Sequence, residues 1–373
     1  MLHVVVLGAG RVGGAMAKDL SQDFRVTVAD RSPGALARLK GAGPEARRAD
    51  FSRPEAVAEA VADADLVVGA VPGFMGFAMA RAVLEAGKPL VDISFFNEDC
   101  FELDALAKRQ NLTAIVDCGV APGCGNLILG DLSRQWDRIT SFECLVGGLP
   151  VVRTWPYEYK AGFSPIDVIE EYTRPARYVK DGRVVTLPAL SEPELLDFEG
   201  LGTLEAFNTD GLRSIIKTFP KVPSMKEKTL RYPGHIDKMR MLRESGFFSK
   251  DKILAGGMEV SPLDLTTALL FPLWFMEEGD EDFTVMRVVV EGEKSGQRMR
   301  KELNLLDRYD RATGTTSMAR TTGYTCAAAV RLLAKGGYSR KGVSPPEYLG
   351  QEPGAWDFIR EDLARHGVIF TES

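Results

Sequence analysis

The sequence predicts an α/β fold: a doubly wound parallel sheet, followed by a second domain of α+β type. Three observations carry this prediction. Strand-like and helix-like patterns alternate from residue 1 to about 117. The first strand runs into Gly8-Ala9-Gly10-Arg11-Val12-Gly13, and the second ends at an acid, Asp30. Beyond Asp117 the alternation stops, and strand-like runs are separated by loops rich in Gly and Pro.

The elements follow in order. Leu2 to Leu7 is a Val-rich strand, and Val12 to Asp19 has apolar positions at helical spacing. A helix over Pro33 to Ala42 leads to a short strand ending at Asp50. Pro54 to Ala62 is the next helix, and Asp65 to Ala70 is an apolar run of the kind buried on both faces. Val71-Pro72-Gly73 breaks that run at its carboxyl end. Pro89 to Ser94 and Thr113 to Asp117 are two further strands, with a helix over Leu103 to Gln110 between them. Six strands so connected predict the order 3-2-1-4-5-6. Residues 1–125 are expected to form this domain and 126–310 the second. The segment 311–373 is expected to return to the first through a small-residue helix over Thr315 to Leu333. In the second domain a helix over Leu127 to Arg134 and strands at Ile139 to Val146, Arg183 to Leu187 and Phe283 to Glu291 are legible.

The glycine motif has a chemical reading. Gly8 permits a tight turn, Gly10 lets a pyrophosphate approach the backbone, and Gly13 lets helix and strand pack closely. The helix N-terminus at Arg11 and Val12 then presents N–H groups and a positive dipole end to phosphate. This is a dinucleotide-binding (Rossmann) context, with Asp30 placed to accept from ribose hydroxyls. A carboxylate there repels a 2′-phosphate and favours NAD, whereas Arg31 beside it is suited to stacking on adenine or holding that phosphate. NAD is therefore expected, with NADP still open. Ligands on such sheets lie beyond the carboxyl ends of the strands, so Asp50, Val71, Pro72, Asp92 and Asp117 form the expected wall. For Asp50, Asp92 and Asp117 the competing reading is a turn or capping role.

Bulk properties exclude several classes. The chain has 373 residues, 45% hydrophobic and 26% charged, an ordinary globular composition. A formal net charge of −6 and the absence of a Lys/Arg run argue against nucleic acid. No apolar stretch is long enough to span a membrane, and no leader is evident at the N-terminus. Five cysteines form no C-x-x-C pair, which predicts reduced thiols and a cytoplasmic protein. With three histidines and no His/Cys cluster, no metal site is expected.

In the second domain His235 lies in Arg231-Tyr232-Pro233-Gly234-His235 and reads either as an acid–base group or as a structural surface histidine. Arg231 suits a substrate carboxylate or an ion pair. Trp155 to Lys160 with Phe163 is a polar–aromatic loop suited to a pocket wall or a subunit interface.

Several motifs resemble those of the saccharopine dehydrogenase superfamily. They are Gly8-x-Gly10-x-x-Gly13, Asp117-x-Gly119-Val120-Ala121-Pro122-Gly123, Gly147 to Pro150 and Leu230-Arg231-Tyr232-x-Gly234-His235. Leu204-Glu205-Ala206-Phe207-x-Thr209, Tyr159 with Phe163-Ser164, and Lys341-Gly342-Val343-x-Pro345-Pro346-Glu347 are most similar to its lysine 6-dehydrogenase branch. The glutamate-forming members of the superfamily are longer. The resemblance implies a catalytic domain like that of glyceraldehyde-3-phosphate dehydrogenase and assembly as a homodimer or larger. It implies NAD-dependent deamination of the ε-amino group of lysine, an amino-acid substrate. Gly119 and Val120 then join the cofactor-binding residues. His235 becomes the first candidate base, with Asp117 and Asp92 behind it. Arg231 would bind the α-carboxylate, Glu158 or Glu205 an ammonium, and Tyr159 and Phe163 would shape the pocket. Saccharopine or carboxynorspermidine dehydrogenase chemistry is the alternative, and a non-catalytic NAD-binding protein a third.

Overall fold

The computed structural model describes all 373 residues, Met1–Ser373. The chain divides into two compact units. The first comprises residues 1–139, 290–301 and 318–373, and the second residues 140–289 and 302–317. The first unit thus extends past the expected limit at 125, because the helix after the glycine-rich turn stays with it.

The first unit holds strands β1 (His3–Leu7), β2 (Arg25–Asp30), β3 (Glu45–Arg48), β4 (Leu66–Gly69), β5 (Leu90–Asp92) and β6 (Thr113–Ile115). A seventh strand, Gly342–Ser344, completes the sheet; three residues are too few for periodicity to reveal. All pairs are parallel, and the order from one edge is 3-2-1-4-5-6 with the added strand beyond β6. Val4 to Leu7 are at most 1% exposed, as both faces of a parallel sheet are covered. Each such side chain contributes about 1.5–3 kcal/mol by leaving water. Helices α1 (Arg11–Leu20), α2 (Pro33–Ala37), α3 (Pro54–Val61), α4 (Gly73–Glu85), α5 (Asp104–Arg109) and α6 (Cys124–Gln135) follow the strands. The sixth strand stops two residues before Asp117, whose φ of +54° takes the chain out of extended conformation.

The second sheet is mixed. Its strands are β7 (Arg138–Pro150), β8 (Ala176–Lys180), β9 (Arg183–Leu187), β10 (Glu194–Phe198), β11 (Gly202–Asn208) and β12 (Ser224–Arg231). After a two-stranded hairpin, β13 (Ile253–Ala255) with β14 (Met258–Val260), come β15 (Asp282–Lys294) and β16 (Gln297–Arg308). The order is β10-β11-β12-β7-β15-β16, with a short final strand, Phe370–Glu372, beyond β16 and β8 and β9 off β12. Strand β12 is antiparallel to β11 and parallel to β7. Over the sheet of the second unit lie α7 (Pro165–Thr173), α9 (His235–Glu244) and α10 (Pro262–Trp274), with α8 (Ile215–Thr218) a single turn. They enclose a core of Tyr159, Tyr172, Phe207, Ile236, Leu270 and Trp274.

The C-terminal segment adds α11 (Ser317–Ala334), α12 (Pro346–Gly350) and α13 (Ala355–Arg365) to the first unit. Arg331 on α11 pairs with Asp19 of α1 at 2.8 Å, Asp23 at 2.7 Å and Asp362 of α13 at 2.9 Å. One guanidinium thereby fixes the dinucleotide-binding helix to two C-terminal helices, and deleting it would strand buried carboxylates. The motif at Lys341 to Glu347 is explained by packing. Buried Glu347 accepts from Asn126 Nδ2 at 2.9 Å, and Asn126 Oδ1 accepts the Gly123 N–H at 3.2 Å. No helix is long and apolar enough to cross a membrane.

Candidate functional site

The first unit carries the dinucleotide-binding residues. A Cβ on Gly8 would lie 2.3 Å from Ala70 O, and one on Gly13 would lie 2.1 Å from Gly8 O. Those two glycines are required by the fold. A Cβ on Gly10 would meet nothing within 4 Å. The open space over Gly10, at the N-cap of α1, is what a phosphate approaching the backbone needs. No side chain caps this helix, and Arg11 and Val12, both half-buried, are its first residues. Asp30 accepts the Ala9 N–H at 2.7 Å on one oxygen and the Ser32 N–H at 2.8 Å on the other. The acid therefore shapes the glycine loop as well as ending β2. Arg31 is exposed beside it.

The remaining expected wall residues divide by role. Asp50 is exposed and accepts the Ser52 N–H at 3.1 Å. That hydrogen bond, aided by Arg31 and Arg53, holds its carboxyl below the usual range. This is the turn role weighed for it. Val71 is buried, and Pro72 is the N-cap of α4. Buried Asp92 accepts from Ser94 N at 3.1 Å and Ser94 Oγ at 2.9 Å, again a turn role. Asp117 is buried, and with Asp92 it faces the Cys118 thiol, whose pKa burial pushes far up. Gly119 and buried Val120 form a tight turn: Gly119 N–H donates to Pro122 O at 3.0 Å, and Val120 O accepts Cys124 N–H at 2.9 Å.

The second unit brings His235, Arg231, Tyr159 and Phe163 together in one core. Gly234, left-handed at φ +85°, turns the chain from β12 into α9, so that His235 opens the helix. His235 is only 1% exposed. Its Nδ1 lies 2.8 Å from Tyr157 O, and a carbonyl only accepts, so Nδ1 carries the proton. Burial and the Arg231 charge push the imidazole down to about 3. Neutral at pH 7, its Nε2 must accept, and Tyr172 OH donates to it at 2.9 Å. Tyr172 in turn accepts from Arg231 Nε at 3.1 Å. The chain of donors is thus fully directed from Arg231 through Tyr172 and His235 to the Tyr157 carbonyl.

This geometry revises two expectations. His235 is buried rather than on the surface, and a group with that pKa holds almost no proton at pH 7. Its unprotonated Nε2 accepts from the Tyr172 hydroxyl. Arg231, 2% exposed, already gives Nη2 to Glu171 at 2.6 Å and Nη1 to Leu230 O at 3.0 Å, with Tyr159 stacked 4.6 Å away. It is committed to the protein rather than displayed to a carboxylate. Glu205 stands directly opposite Arg231 across β11 and β12 and accepts the Gly234 N–H at 3.0 Å. Glu158, at positive φ, is held by Arg153 Nε at 2.5 Å, so it is not in the same cluster.

Sequence reasoning missed Tyr172, Glu171 and the Tyr157 carbonyl. Glu171 and Tyr172 lie in an ordinary amphipathic helix, and Tyr172 lies 59 residues before its partner Arg231. It also missed Glu227, two residues before Thr229 on β12 and buried beneath Thr209, whose hydroxyl donates to it at 2.5 Å. Burial pushes this carboxyl up to about 8.

Comparison with known proteins identifies the family and the fold. Residues 4–115 match the sequence profile of the saccharopine dehydrogenase NADP binding domain, and residues 119–368 that of the saccharopine dehydrogenase C-terminal domain. The chain is 23% identical over 444 aligned positions to the Saccharomyces cerevisiae saccharopine dehydrogenase [NADP(+), L-glutamate-forming]. That alignment covers 99% of this chain and 98% of the yeast protein. It is 24% identical to the mitochondrial alpha-aminoadipic semialdehyde synthase of Bos taurus over 99% of its own length but only 47% of that protein's. The apo structure of the yeast saccharopine dehydrogenase superposes with a TM-score of 0.81 at 20% identity, covering 100% of this chain and 99% of the other, which shows a shared fold.

Proposed function

Since the chain belongs to the saccharopine dehydrogenase family of oxidoreductases, we propose that it oxidises the ε-amino carbon of free L-lysine with NAD. The reaction removes a hydride and a proton from the CH–NH group, and water then replaces nitrogen to give the aldehyde and ammonia. One observation carries the choice of a small substrate. The alignment with the yeast enzyme spans 444 positions against 373 residues here, so at least 71 of them are present there and absent here. A chain that keeps both domains but lacks those residues has less material with which to enclose a second, glutamate-bearing half of a substrate.

The cradle over Gly10 and the acid at Asp30 fit a bound dinucleotide, which supplies a nicotinamide ring as hydride acceptor. Asp30 disfavours a 2′-phosphate by charge, which supports NAD over NADP. The ε-ammonium has a reference pKa of about 10.4, so a base must take its proton before hydride leaves. That base is sought first at His235, whose ring is unprotonated at pH 7, and then at Asp117. Asp92, engaged by Ser94, ranks behind them. Tyr159 and Phe163 form an aromatic wall suited to the lysine methylenes.

A second reading has its own support: the relatives named above include a saccharopine dehydrogenase that forms glutamate. Lysine labelled with nitrogen-15 at the ε position separates the two. Labelled ammonia with lysine and NAD alone supports deamination of lysine. Turnover only with saccharopine, yielding glutamate, establishes the second reading.

A further inference from the structure

Two matching turns close the adenosine end of the dinucleotide site. At the carboxyl end of β2, Asp30 accepts the Ser32 N–H at 2.8 Å, and just past β3, Asp50 accepts the Ser52 N–H at 3.1 Å. Each Asp-x-Ser turn feeds a helix that opens on proline, Pro33 in α2 and Pro54 in α3. The last rung between the two chains is Ala49 N–H on Asp30 O at 3.1 Å. Arg31 and Asp50 each stand one residue beyond that rung, so the turns lie side by side.

The two turns make opposite demands on a cofactor. Arg31 and Arg53 are exposed, and both act on the Asp50 carboxylate by charge alone, with no hydrogen bond or ion pair joining them to it. Guanidiniums beside a ribose suit a 2′-phosphate, because each can give it two parallel hydrogen bonds. Asp30 is tied to the glycine loop through Ala9 N–H at 2.7 Å as well as to its own turn, which fixes it for the ribose hydroxyls. Asp50 is tied only to its own turn and stands among the arginines.

We propose that Asp50 sets the choice between the two nicotinamide dinucleotides, by occupying the charge of Arg31 and Arg53 and by adding a second negative charge against a 2′-phosphate. Asp30 then positions the ribose, while the two arginines are a latent phosphate site that one carboxylate keeps closed. This inference rests on the NAD reading given above. Because every group involved is exposed and screened by salt, the effect is about tenfold, largest at low ionic strength.

Calorimetric titration of the full chain with NAD and with NADP at low salt tests this. Wild type is expected to bind NAD the more tightly. Asp50→Asn keeps an oxygen for the Ser52 N–H and removes the charge, so it should melt like wild type. Its ratio of NADP to NAD dissociation constants is expected to fall about tenfold. Asp50→Ser, which also keeps an acceptor without charge, is expected to shift the ratio in the same direction. Adding Arg31→Ala with Arg53→Ala to Asp50→Asn should return the ratio to that of wild type. An unchanged ratio in both folded Asp50 variants overturns the proposal, and so does a shift that survives loss of both arginines. A wild type that binds NADP the more tightly overturns the NAD reading instead, and the change of ratio at Asp50 still decides this one.

Discussion

Replacing Gly10 by Ala separates the demands of the ligand from those of the fold. The three motif glycines make different claims on space. At Gly8 and Gly13 an added Cβ collides with backbone oxygens at 2.3 and 2.1 Å, and Gly8 has φ +115°. Alanine there destabilises the first unit whatever it binds. At Gly10 the φ of −62° suits any residue and the space is open. Alanine should leave unfolding stability within about 0.5 kcal/mol, or raise it slightly by restricting the unfolded chain. If the open space is where a pyrophosphate meets backbone N–H groups, the same methyl must cost binding. A tenfold loss of affinity is about 1.4 kcal/mol, and that is the least expected. Calorimetric titration with NAD beside a thermal melt reads both quantities. Gly10→Ala should melt like wild type and bind at least tenfold more weakly. An unchanged affinity would refute the cradle.

Two further predictions concern the second unit. Tyr172→Phe removes a hydroxyl that serves both Arg231 and His235, leaving two buried groups unpaired at about 1–3 kcal/mol each. The unfolding free energy should fall by about 2–6 kcal/mol, and an unchanged melting temperature would remove Tyr172 from the network. For His235 the folded pKa of about 3 lies below the ordinary 6.5, so the unfolded chain binds the extra proton. Its contribution is intact above pH 6.5 and is lost as pH falls toward 3, by roughly 4–5 kcal/mol at most. Urea midpoints of wild type should drop more steeply between pH 6.5 and 4.5 than those of His235→Asn; parallel profiles would mean His235 is solvated.

The glycine motif, Asp30 and the strand order were legible because their logic is local: spacing, chain reversal and period lie within about thirty residues. The strand at Gly342–Ser344 was hidden because its three residues gain identity only from pairing with β6. Strand β16 was hidden differently, since residues 297–302 are mostly charged or polar and obscure its alternation. His235 could be singled out as chemically able and shares a motif with Arg231, yet its burial depends on Tyr157 and Tyr172, 78 and 63 residues earlier in the chain. The Lys341 to Glu347 motif pointed to a family without showing its job, which is to hold the loop at Gly123 through Asn126. What sequence conveys poorly here is which polar groups the fold has already used.

The most direct test of the central claim is absorbance at 340 nm with purified protein, NAD and L-lysine as sole substrate. The account predicts steady NADH formation that needs no second organic substrate and is faster with NAD than with NADP. No signal with lysine alongside turnover of saccharopine would contradict it, and so would silence with both when calorimetry shows NAD bound.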